Sequence, residues 1–201
     1  MFGLAGASRS GKSTLAAELS EATGIPYTTI STSKLAAELG YNLVGQLSIT
    51  ERIEAQEKLL RSYLDLIDTL PSPFIVDRTP LDMIAYTICE VSMLGTDRET
   101  GVRIKAFVDR ALAATSQRFG GIIVLRPLPV YESAPDKHPD NPAYQWHTQY
   151  VIEGLIHHIL SSTYVSLVPT SDPSGRLAHG LAMVNRRVSS IEALYADAHF
   201  H

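Results

Sequence analysis

The stretch GASRSGKST, Gly6 to Thr14, decides how this chain is read. It fits G-x-x-x-x-G-K-[ST], with Gly6, Gly11, Lys12 and Ser13 in the defining places. A short apolar run, FGLA at 2–5, delivers the chain into it, and a helical pattern begins at Lys12. Glycines let such a loop turn its N–H groups inward as an anion nest, and the helix N-terminus adds partial positive charge there. The stretch Gly6, Ala7, Ser8, Arg9, Ser10, Gly11, Lys12, Ser13 and Thr14 is therefore expected to cradle a nucleoside triphosphate. Lys12 supplies a mobile cation for the outer phosphates, and Ser13 a hydroxyl for Mg²⁺. The expected cofactors are ATP and Mg²⁺.

Working outward, short apolar runs alternate with longer helical patterns. IPYTTI (25–30), FIVD (74–77), GIIVL (121–125) and YVSLV (164–168) read as further strands. Between them, helices are expected over 12–23, 31–39, from Ser48 to about Leu70, from Pro80 to about Leu94, and over 98–117, 144–160 and 176–195. Ser48 with Glu51 forms a capping-box signature, and Thr79 precedes Pro80 at a first helical position. Strands alternating with helices imply βαβ units and a parallel sheet covered on both faces. No linker interrupts the pattern, so one α/β domain over 1–201 is expected.

Composition narrows the setting. The 201 residues are 45% hydrophobic and 19% charged, enough for one sizeable core. A net charge of −4 gives no overall basic signature for nucleic acid. The single cysteine, Cys89, forms no intrachain disulfide, which points to a cytoplasmic setting. No apolar run approaches the roughly 18 residues of a membrane span, and no signal peptide is expected.

With these motifs, the chain resembles the P-loop small-molecule kinases, especially nucleoside and nucleotide kinases and the nicotinamide riboside kinase-like domains of bacteria and phages. The resemblance implies a P-loop NTPase-type three-layer sandwich with a five-stranded parallel sheet in the order 2-3-1-4-5. It also implies a kinase that moves the γ-phosphoryl group of ATP to a hydroxyl of a nucleoside, nucleotide or related acceptor. A hydroxymethyl base, free or within phage DNA, stays open as that acceptor, with the host cytoplasm as the setting if the chain is phage-encoded. The rival class is a P-loop NTPase that acts as a nucleotide-driven regulatory switch.

VDRTPLDMIAY, 76–86, is the second constellation. Mg²⁺ prefers oxygen ligands, and ligands of such sheets gather at the carboxyl ends of strands, where Asp77 lies. The resembled kinases carry an acid-Arg-Ser motif here, read in this chain as Asp77-Arg78-Thr79. Asp77 is then expected to hold Mg²⁺ through water or to act as base, and Arg78 to neutralise the transferred phosphoryl group. Arg78, Asp82 and Tyr86 form one i, i+4 stripe, which makes Asp82 and Tyr86 candidates for acceptor binding; Asp82 equally completes a T-x-x-D capping box. Many nucleoside kinases place a base carboxylate after the second strand. TTISTS, 28–33, has no acid there.

The Pro-rich stretch 126–147 follows the fourth strand, where the resembled kinases close a lid. The lid-like segment is 126–143, with Arg126, Lys137 and His138 as its cations; Arg126 is expected to be catalytic and Lys137 to bind substrate. In PTSDPSGR, 169–176, the loop is expected near adenine, with Arg176 stacking on the ring or its neighbours Asp172 and Ser174 capping the next helix.

Overall fold

GIIVL is apolar at every position, so neither face of this strand can meet water, and sheet neighbours and helices must cover both. In the computed structural model it is the strand β4 (Gly121–Leu125), paired in parallel with β1 (Phe2–Ala5) on one side and β5 (Tyr164–Val168) on the other. β1 also pairs with β3 (Ile75–Val76), and β3 with β2 (Tyr27–Thr28), which completes a five-stranded parallel sheet in the order β2-β3-β1-β4-β5. The structure describes residues 1–43, 45, 47–91, 95–129, 141–160 and 162–198.

Side-chain alternation along the strands divides the core in two. Ile122 and Val124 of β4, with Ala5 and Val76, join the cluster under α3 (Ile49–Asp68), α4 (Pro80–Glu90), α5 (Arg98–Arg118) and α6 (Pro142–Leu155). Ile123 and Leu125, with Phe2, Leu4 and Ile75, pack against α1 (Lys12–Thr23) and α7 (Pro173–Ala198). The result is a three-layer α/β/α sandwich. A short α2 (Thr32–Glu38) lies between β2 and α3 in the chain. None of the described helices is long and apolar enough to cross a membrane.

The local signals act as the sequence implies. Ser48 accepts from the Glu51 N–H at 3.3 Å, and Glu51 accepts from the Ser48 N–H at 2.9 Å. Thr79 and Asp82 form the same reciprocal box at α4, with Pro80 at a first-turn position. Several boundaries differ, three of them at the starts or ends that face the site or its neighbours. β2 holds only Tyr27–Thr28, because Thr29 turns its hydroxyl to Asp77. α6 begins at Pro142 instead of Tyr144, since Asn141 caps it by accepting from the Tyr144 N–H. α7 begins at Pro173 instead of Arg176. The last turn expected of α4, over 92–94, lies outside the described residues.

One glycine in β1 positions the site. A Cβ on Gly3 would stand 2.6 Å from both the Phe119 ring and the Thr79 methyl, so only glycine lets the start of α4 close onto β1. Gly3→Ala is expected to cost about 1–3 kcal/mol through overpacking, seen as a lower urea midpoint at an unchanged slope. An unchanged midpoint would contradict this packing.

Candidate active site

The glycine-rich loop leaves β1 at its carboxyl end and enters α1 at Lys12. Its backbone is strained away from ordinary regions: Gly6, Arg9 and Gly11 have φ of 151°, 61° and 80°. A side chain on Gly6 would run into the Leu125 carbonyl and the Ser10 hydroxyl. Lys12 is buried, and its Nζ donates to the Gly6 and Ala7 carbonyls at 2.6 and 2.9 Å. The lysine thus folds back over its own loop, where an arriving phosphate could replace those carbonyls.

Asp77 follows β3, beside the loop. Its Oδ2 accepts from the Ser13 hydroxyl at 2.5 Å, from Tyr27 at 2.8 Å and from Thr29 at 3.0 Å, and Oδ1 accepts from the Ile30 N–H at 3.4 Å. Burial works to raise its pKa, but these four donors outweigh burial and hold the carboxyl below its ordinary value. A hydroxyl and an ionised carboxylate in contact form the hard-oxygen pair that suits Mg²⁺, which takes few protein ligands beside substrate phosphates.

Asp82 is spent on structure. Its Oδ2 accepts from the Thr79 N–H and hydroxyl, both at 2.9 Å, and Oδ1 accepts from the Gly6 N–H at 3.2 Å. Lys12 Nζ and Arg78 Nη1 each lie 3.9 Å from Oδ1. The carboxylate expected at the acceptor therefore joins the α4 cap to the loop, and both oxygens are engaged. Arg78 also packs over the Tyr86 ring, 5.9 Å from its centroid, while its carbonyl accepts from Tyr63 at 2.6 Å.

Loop, Asp77, Arg78, Asp82 and Tyr86 border one cavity of about 440 Å³, closed on the other side by α3 and by Thr29 to Ser33. Its wall holds a residue that the sequence reading missed. Gln56 of α3 is only 3% exposed, and its Oε1 accepts no hydrogen bond among the described residues. Leu59 and Met83 stand beside it in the lining. The signal lay in the helix phase: Ile53, Gln56, Leu60, Tyr63 and Ile67 share one stripe, so a polar side chain there must be buried. The far wall contains Glu90, which accepts from Tyr144 at 2.6 Å and is ion-paired with Arg52. Burial first, and the Glu90 carboxylate second, push the Tyr144 phenol well above its ordinary pKa.

The lid cations lie apart from this cavity or outside the described residues. Arg126 makes a bidentate pair with Glu153 of α6 at 2.9 and 3.0 Å and does not line the cavity. Lys137 and His138 fall within 130–140, outside the described residues. Arg176 is buried at the start of α7, where its guanidinium donates to backbone carbonyls of the loop and of the segments after β4 and β5. Asp172 accepts from the Gly175 N–H at 2.7 Å, as a cap of α7 does.

No protein-family model matches the chain, and no curated protein sequence matches it. Solved structures do. A deoxyadenosine kinase from M. mycoides with bound dCTP superposes with a TM-score of 0.66 at 15% identity, covering 92% of this chain and 100% of that one. Thymidylate kinase from Candida albicans gives 0.57 at 18% identity, over 95% and 91%. A NadR protein in complex with NR gives 0.60 at 14% identity, over 92% of this chain and 50% of that one. The chain has a P-loop nucleoside/nucleotide kinase-like fold, with the sheet order implied by the resemblance.

The Arg126–Glu153 pair has a pH signature. The Arg126 guanidinium, with help from Gln149, lowers the Glu153 pKa against an opposing effect of burial. A depressed carboxyl contributes stability that is full above its ordinary value of about 4.3 and is lost as pH falls through the lower folded value. Wild type is therefore expected to exceed Glu153→Gln in denaturant stability at neutral pH, with the gap closing on acidification. A gap that does not narrow would contradict the pairing.

Proposed function

We propose that this chain is an ATP- and Mg²⁺-dependent kinase that phosphorylates a hydroxyl of a nucleoside or nucleotide. The carrying observation is Gln56. A buried carboxamide with an unused acceptor is costly unless a ligand completes it. It stands in a cavity continuous with the phosphate loop and of a size that suits a small organic ligand. In a lining that also holds Leu59 and Met83, its carboxamide is a chemical match for a flat heterocycle carrying amide or amine groups. The similar solved structures, named as deoxyadenosine and thymidylate kinases, support the same acceptor class.

In this reading the loop N–H groups and Lys12 bind the triphosphate. Ser13 and Asp77 would hold Mg²⁺, which when bound neutralises charge on the phosphate oxygens. Arg78, held over Tyr86 beside Asp82, faces the transferred phosphoryl group. In this reading Asp77 also takes the proton of the acceptor hydroxyl. Arg126 must exchange Glu153 for phosphate to serve as a lid cation. Positioning and charge stabilisation are what phosphoryl transfer demands.

The test is a screen of nucleosides, nucleotides and oligonucleotides, including hydroxymethyl-base forms, for acceptor-dependent ADP release. One acceptor class is expected to accelerate release and to yield a phosphorylated product. Hydrolysis indifferent to every acceptor would favour the regulatory NTPase instead. Lys12→Ala is expected to reduce turnover by at least about 10²-fold in a folded protein. Gln56→Leu, of similar volume, is expected to raise the acceptor KM roughly tenfold with little change in the KM for ATP. Equal changes in both constants would remove Gln56 from acceptor recognition.

A further inference from the structure

Three successive carbonyls of the phosphate loop are held outward by groups beyond it. The Ser8 carbonyl accepts from Gln145 Nε2 of α6 at 2.7 Å. The Arg9 carbonyl accepts from the Leu128 N–H at 3.4 Å. The Ser10 carbonyl accepts from Arg176 Nη1 of α7 at 2.5 Å. In a planar trans peptide the C=O and the following N–H point in opposite directions. Outward carbonyls at Ser8, Arg9 and Ser10 therefore turn the N–H groups of Arg9, Ser10 and Gly11 into the cradle.

Such a row of like-oriented dipoles is unfavourable without its ligand. It requires positive φ at Arg9, a region that costs a side-chain-bearing residue about 1 kcal/mol or more. The supports are correspondingly rigid. Gln145 is 9% exposed and Arg176 5%. Arg176 also donates to the Arg126 and Thr170 carbonyls, which ties the ends of β4 and β5 to the loop. One turn along α6, fully buried Gln149 accepts from the Ala7 N–H at 3.1 Å. The sense of that amide is set by Glu153, which accepts from Gln149 Nε2 at 3.0 Å.

We infer that Gln145 and Arg176 are positioning residues for phosphate binding: they hold the Ser8 and Ser10 carbonyls outward so that the Arg9 and Gly11 N–H groups face the phosphates. Neither side chain needs to touch the nucleotide. The inference rests on the nucleotide-binding part of the proposed function and is independent of the acceptor.

Gln145→Glu tests it most sharply. The carboxylate keeps the size of the side chain but can only accept, so it opposes the Ser8 carbonyl and draws the Arg9 N–H out of the cradle. Binding of ATP and of inorganic pyrophosphate is measured by calorimetry, beside thermal melts of the nucleotide-free protein. Gln145→Glu is expected to weaken both ligands roughly tenfold or more, the scale of one lost charge-assisted hydrogen bond, in protein that the melt shows to be folded. Gln145→Met, which neither donates nor accepts, is expected to fall between. Arg176→Lys, which keeps one donor, is expected to bind more tightly than Arg176→Met; should the arginine variants not fold, the Gln145 pair decides alone. Wild-type affinity in folded Gln145→Glu would overturn the inference and leave the kinase reading standing. Wild-type protein that binds neither ATP nor pyrophosphate would defeat both.

Discussion

A single buried carboxylate, that of Asp82, holds the two halves of the site in register. One oxygen closes the cap of α4 on Thr79, and the other takes the N–H of Gly6 across 76 residues of chain. An ionised group at 1% exposure would be prohibitive without partners. Here three donors satisfy it, and two cations stand within 4 Å. Removing it would strand the Gly6 N–H, open the cap and leave Lys12 and Arg78 facing each other uncompensated. The pairing also has an electrostatic consequence. One anion beside two cations leaves this trio of Asp82, Lys12 and Arg78 with a net positive charge.

From that hinge the rest follows in layers. Gly3 lets the α4 cap reach β1, and the cap places Asp77 and Arg78 at the sheet's carboxyl end. Asp77 then meets the hydroxyl of Ser13, in the first turn of α1. On the opposite side of the loop, α6 and α7 supply the outward pull on its carbonyls. The loop is thus gripped from within by Lys12 and Asp82 and from without by Gln145, Gln149 and Arg176. A backbone with several positive φ values keeps its shape only when its surroundings over-determine it.

The fold was legible because its signals are local. GASRSGKST, the apolar runs, the S-x-x-E and T-x-x-D boxes and the Pro at the start of α4 each act within a few residues. The arrangement of the candidate site was legible only where a motif is contiguous, as at Gly6–Thr14 and Asp77–Thr79. Asp82 illustrates the limit: its stripe with Arg78 and Tyr86 is real, but the same spacing serves the helix cap, which takes one oxygen while the Gly6 N–H takes the other. Gln56, Gln145 and Gln149 lay hidden because glutamine reads as a surface residue. Their positions on the apolar stripes of α3 and α6 were the available sign, and a buried amide declares its partner only in three dimensions. Arg176 is hidden for a similar reason, since nothing in PTSDPSGR shows that its guanidinium turns back toward the loop.

In a kinase the γ-phosphoryl group goes to an organic hydroxyl and not to water. The most direct measurement follows the label from γ-³²P-ATP in the presence of pooled nucleosides and nucleotides, with chromatographic separation of products. The expected result is label in a phosphate ester of one acceptor class, with inorganic phosphate a minor product. Label recovered only as inorganic phosphate, at a rate the pool does not change, would contradict it.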